Sequence, residues 1–138
     1  MARLVVYGRS SFCPDMMRWD RWARAHPLSC VMFDIDVDED ARDFVVRHTG
    51  HLSVPTLVIA PDDGFDPIEE PTPLAGRGPR AVDRGCMLTE PGIGQVEPFL
   101  QRHGIPFGGP GGDPAITAWN IQRAGRHPAP LGAPEPDR

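Results

Sequence analysis

The chain has 138 residues, a formal net charge of -5 and a pI near 5.4, and it carries 17 prolines and 15 glycines. That length suits one hydrophobic core, and the acidic balance argues against a general nucleic-acid binder, whose phosphate contacts need a basic surface. No apolar stretch approaches the roughly 20 residues of a membrane-spanning helix, and Leu4-Val5-Val6-Tyr7 is too short for a signal-peptide core, so a cytoplasmic protein without a membrane partner is expected.

Leu4 to Tyr7 is a β-rich apolar run ending at Gly8 and predicts a buried parallel strand. From Pro14 to about Ala25 the pattern turns helical, with Met16, Trp19, Trp22 and Ala23 at i, i+3 and i+4 spacings and Pro27 as the stop. Leu28 to Ile35 predicts a second strand. The acidic run Asp36 to Asp40 then favours a helix start, which we read as a solvated helix entry and not a calcium loop. Ala41, Phe44, Val45 and His48 form the inner face of that helix, and Gly50 suits its C-terminal cap. Val54 to Ile59 is a third apolar run, opening on Pro55, which a strand tolerates at its first residue.

Residues 61–84 hold five prolines and show no period of either kind, which predicts an irregular insertion looping over the surface. Cys86 to Thr89 predicts a short fourth strand, and Gly92 to His103 a last helix with Val96, Phe99 and Leu100 inward. Residues 105–138, with seven prolines and six glycines, read as a mostly disordered tail. Within it a short helix is expected over 114–124, carrying Ile116, Trp119 and Arg123 on one face. The order β-α-β-α-β-β-α describes a small layered α/β domain whose first crossover is right-handed.

That order places Cys13 where the first strand ends and the first helix begins. Unpaired N–H groups at a helix start favour an anion, and the thiolate is the attacking species in disulfide exchange. Pro14 fits the first helical turn, where an N–H lacks a partner in any case. Arg9 brings positive charge to the same loop and Asp15 opposes it. Three cysteines cannot all pair within one chain, and the spacing of positions 13, 30 and 86 matches no zinc ribbon or finger, so a free thiol and no metal site are expected. Cys30 and Cys86 read as inert packed thiols. His48 and His51 have the wrong spacing for two ligands on one helix face.

Taken in order, Val5-Val6-Tyr7-Gly8, Cys13-Pro14-Asp15-Met16, Asp34-Ile35-Asp36, Phe44-Val45 and Ser53-Val54-Pro55-Thr56 resemble the glutaredoxins at nearly the family's spacing. Leu88-Thr89-Glu90-Pro91, with Val96 and Leu100, is similar to the end of the mycoredoxin branch. The resemblance covers residues 3 to 104, interrupted by the 61–84 insertion. It implies a thioredoxin-like fold with a glutaredoxin-like domain over 1–104, a cis Val54–Pro55 peptide facing Cys13, and Cys13 as the nucleophile. It further implies that Arg9, Phe12, Pro14, Val54 and Pro55 bind the substrate. Met16 stands where a second cysteine would resolve the intermediate, so the implied activity is monothiol: mixed disulfides of proteins are reduced with a low-molecular-weight thiol, glutathione or mycothiol, as co-substrate and no bound cofactor. The protein is expected to act as a monomer. The family's glycine pair and Cys-Asp element after the fourth strand are missing, and Arg9 is the nearest substitute for its upstream lysine. Two alternatives differ in class: a redox-inactive thioredoxin-like module that binds another protein, and a monothiol dimer bridged by an iron–sulfur cluster.

Overall fold

The computed structural model describes residues 1–129, which form a mixed α/β domain of five strands and three helices. The strands are β1 (Ala2–Gly8), β2 (Ser29–Asp34), β3 (Thr56–Pro61), β4 (Met87–Thr89) and β5 (Asn120–Arg123), and the helices α1 (Pro14–Ala25), α2 (Glu39–Thr49) and α3 (Val96–Arg102). They form one sheet in the order β4-β3-β1-β2-β5, with β1 parallel to β2 and antiparallel to β3. A central strand covered on both faces reads as an unbroken apolar run, which is why Leu4 to Tyr7 does not alternate.

Successive strand residues point to opposite faces. Tyr7 faces α2, its ring stacked on Phe44 at 4.5 Å, whereas a Cβ on Gly8 would lie 2.6 Å from the Met16 methyl of α1. Glycine at position 8 therefore lets α1 pack close to the strand. Met16, Trp19 and Ala23 supply the buried stripe of α1. The Asp38 carboxylate caps α2 by accepting from the Ala41 N–H at 3.1 Å, and Gly50 closes the helix in the left-handed region at φ 79°. The last helix is shorter than the expected 92–103, since residues 93–95 turn before Val96.

Two expectations need correction. The 61–84 insertion is irregular but does not merely cover the surface. The Arg84 guanidinium is buried and donates to the carbonyls of Thr72 (2.8 Å) and His48 (2.6 Å), and Phe65 packs edge-on against Phe33. Such donors satisfy loop backbone that would otherwise lack partners. The tail is the second case. Residues 105–129 are packed onto the domain, and the helix expected over 114–124 is replaced by turns and by β5, which pairs parallel with Ser29–Met32. Buried Phe107 packs edge-on against Trp22, and the Trp119 indole N–H donates to the Ala23 carbonyl at 2.7 Å. Pairing with the otherwise open edge of β2 overrides a weak helical pattern in a segment too short to be helical alone. The remainder of the expected tail, 130–138, lies outside the described residues.

This strap ends in a buried histidine. His127 sits among Tyr7, Phe33, Phe44 and Phe65, its backbone N–H donates to Asp38 at 2.8 Å, and its Nε2 lies 2.7 Å from the Tyr7 hydroxyl. A neutral ring satisfies both nitrogens, Nδ1–H donating to the Pro128 carbonyl at 2.7 Å and Nε2 accepting from the phenol. Burial lowers the His127 pKa from its ordinary value and raises that of Tyr7. Burial, reinforced by Arg47 and Arg84, lowers that of nearby His48 to about 4. Below the ordinary histidine value near 6.5 the unfolded chain binds protons that the folded one refuses, so the stabilisation is complete above that pH and is lost as pH falls toward and through the lowered values. The denaturant midpoint is expected to drop between pH 6.5 and 4, and His127→Gln, which keeps hydrogen-bonding atoms without titrating, to flatten part of that slope. An unchanged slope would exclude His127 from the effect.

Candidate functional site

β1 and β2 end, β3 begins and β4 ends at one end of the sheet, as the pairs Tyr7 with Thr56, Gly8 with Asp34 and Thr56 with Thr89 show. Both segments singled out from the sequence emerge there: the loop Arg9–Cys13 follows β1, and Val54–Pro55 precedes β3. The Val54–Pro55 peptide is cis.

Cys13 is the N-cap residue of α1, with extended backbone at φ -156° and ψ 120°, and its carbonyl accepts the first helical bond from Met17 at 3.0 Å. Its side chain makes no capping bond, and the thiol is free and half-buried. Pro14 occupies the first turn and is exposed, as is Phe12, at 81% of its full surface. Val54 and Pro55 are buried and lie just outside the β1–β3 ladder. Met16 is turned inward and packs over Gly8. Cys30 and Cys86 are both buried. Burial pushes the Cys30 thiol up to about 11 and also raises that of Cys86, whose Sγ donates to the Glu69 carbonyl at 3.3 Å. A thiol held protonated is a poor nucleophile.

The charges around the loop are arranged differently from the sequence reading. The Arg9 guanidinium pairs with Asp36 at 3.3 Å and so anchors its own loop. Asp36 lies just ahead of the helix that Asp38 caps, and it also accepts from the Ser11 N–H at 2.8 Å and the Ser10 hydroxyl at 3.4 Å. The bond from Ser11 foremost, with Arg9 adding to it, lowers its carboxyl to about 2. Asp15, in the first turn of α1, is bound by Arg80 through both carboxylate oxygens (2.8 and 3.0 Å) and by Arg18 at 2.8 Å. Arg80 holds its carboxyl below the usual range. The same Arg80 reaches Glu90 at 2.5 Å, and the Glu90 N–H donates to the Pro55 carbonyl at 2.8 Å.

No local pattern in the proline-rich 61–84 segment signals Arg80 as part of this region. A continuous set of bonds thus joins the start of α1, through the insertion, to the 54–55 segment. Beside it a cleft of about 610 Å³ runs along α1, lined by Trp19, Trp22, Ile93 and Val96 with Asp15 and Arg18 among its polar groups.

No protein family, curated protein or solved structure matches the chain.

Proposed function

We propose that the protein is a glutaredoxin-like monothiol oxidoreductase in which Cys13 reduces mixed disulfides between proteins and a low-molecular-weight thiol. The observation that carries this reading is a free, half-buried thiol on the N-cap residue of α1, where backbone N–H groups favour an anion and the Cys13 side chain makes no capping bond. The sheet order β4-β3-β1-β2 and the helices connecting these strands are compatible with a thioredoxin-like fold. Fold alone does not assign chemistry, which is carried by the residues of the site.

The Cys13 thiolate attacks the small-thiol sulfur of the substrate disulfide. A Cys13–small-thiol disulfide forms, and the protein thiolate leaves and takes a proton from water. A second small-thiol thiolate then attacks the small-thiol sulfur of that adduct, giving the symmetric small-thiol disulfide and freeing Cys13. Each turnover consumes one free small thiol, the other half of the symmetric disulfide coming from the substrate itself, so no resolving cysteine is needed. Met16, packed against Gly8, accordingly leaves this cycle intact. Val54 and Pro55 are assigned the substrate-backbone contact, and Phe12 and Pro14 the exposed rim of the nucleophile. Arg9 acts by holding its loop on Asp36.

The test is turnover of a peptide mixed disulfide by the full chain, with glutathione and mycothiol in separate arms, each paired with its own mixed disulfide. The reading predicts peptide-thiol release proportional to protein concentration and dependent on the small thiol in at least one arm. Release at the protein-free rate in both arms would contradict it and favour a redox-inactive binding module.

A further inference from the structure

Asp15 sets a problem for any nucleophile at position 13. Its carboxylate lies in the first turn of α1, where negative charge is favourable for the helix but competes with a thiolate for the same positive end. The structure turns this carboxylate toward cations. Arg80 grips both of its oxygens with two guanidinium nitrogens, the fork geometry that makes arginine–carboxylate pairs strong, and Arg18 adds a third bond.

Arg80 is held in place on both sides. It bridges to Thr89 of β4, the next residue's N–H donates to the Thr89 carbonyl at 2.8 Å, and the Ala81 carbonyl accepts from the Gln95 side chain at 2.9 Å. Ala81 and Glu90, at φ 59° and 46°, occupy the left-handed region that non-glycine residues avoid. Such conformations persist where the surroundings over-determine them. The insertion thus delivers one guanidinium to a point between Asp15 and Glu90, at the sheet end where the Cys13 loop emerges.

We propose that Arg80 is a positioning residue for Cys13: by neutralising Asp15 it leaves the positive end of α1 to the Cys13 thiolate, and through Glu90 it ties the start of α1 to the 54–55 segment. This inference rests on the reading of Cys13 as a nucleophile. It also assigns the 61–84 insertion a part in the reaction beyond covering the sheet.

The experiment measures the rate of Cys13 alkylation by iodoacetamide at pH 7, located by peptide mass, in the folded full chain. Arg80→Ala is expected to slow it roughly threefold, the effect of a near-surface carboxylate left with Arg18 as its one cation. Arg80→Lys should restore much of the rate, and Asp15→Asn combined with Arg80→Ala should return it to that of the wild type or above. A merely structural Arg80 would leave the double variant as slow as Arg80→Ala. That outcome, or an Arg80→Ala rate within twofold of the wild type, overturns the proposal. Alkylation is read independently of mixed-disulfide turnover, so failure of the oxidoreductase reading is distinguishable from failure of this one.

Discussion

Cys13→Ser is expected to remove mixed-disulfide turnover, lowering the rate by on the order of a thousandfold or more, down to that of the uncatalysed exchange. The size of the effect follows from the absence of a ready substitute. A serine hydroxyl cannot form the disulfide intermediate, and the other two thiols are buried and held protonated by burial, Cys30 at about 11. Stability should be nearly untouched, because Cys13 makes no side-chain capping bond and its carbonyl still accepts from Met17. Serine is moreover a preferred N-cap residue, so the first turn of α1 is not weakened. A kinetic loss with an unaltered denaturation midpoint is the expected signature. Turnover retained at the wild-type rate would show that another group carries the reaction.

Phe44→Ala is expected to produce the largest loss of stability. Phe44 is fully buried and holds the α2 face together, stacked on Tyr7 at 4.5 Å and flanked by His48 at 4.4 Å and His127 at 5.4 Å. Truncating a buried phenylalanine costs about 3–5 kcal/mol, from lost transfer free energy and the cavity left behind. Against a total of about 5–15 kcal/mol for an ordinary domain, that is a large share. Tm should fall by roughly 10 °C or more. Val37→Ala, at an exposed position, should stay within about 0.5 kcal/mol of the wild type. Because His127 loses a ring neighbour in Phe44→Ala, limited proteolysis of that variant should cut the 124–129 strap earlier than the rest of the chain. Equal stability of the two variants would mean that the Tyr7–Phe44 stack is not where the sheet and α2 are joined.

The order of β1 through α3 was legible because each element carries a periodic or continuous apolar signal. Leu4–Tyr7 must be unbroken because β1 is central, and Met16, Trp19 and Ala23 recur at helical spacing because only one side of α1 is covered. β5 had no such signal. All four of its residues are exposed, and what places it is the open edge of β2 together with anchors outside the strand, the Trp119 indole and His127. The site was legible in the same partial way. That Cys13 sits at a strand–helix junction and Pro55 at a strand start follows from local patterns. The pairing of Arg9 with Asp36 and of Arg80 with Asp15 links residues 27 and 65 positions apart, and local spacing carries no information about either. The charge balance at the start of α1, undetermined from neighbours in sequence, is decided by an arginine from the insertion.

The most direct measurement of the central claim is the location of the covalent adduct formed when the reduced full chain is incubated with the symmetric disulfide of glutathione or mycothiol, quenched with acid and mapped by peptide mass. The account predicts one small-thiol moiety per chain, on Cys13, removed on adding the free thiol, with Cys30 and Cys86 unmodified. An adduct on Cys30 or Cys86 in place of Cys13, or no adduct with either disulfide, would contradict it.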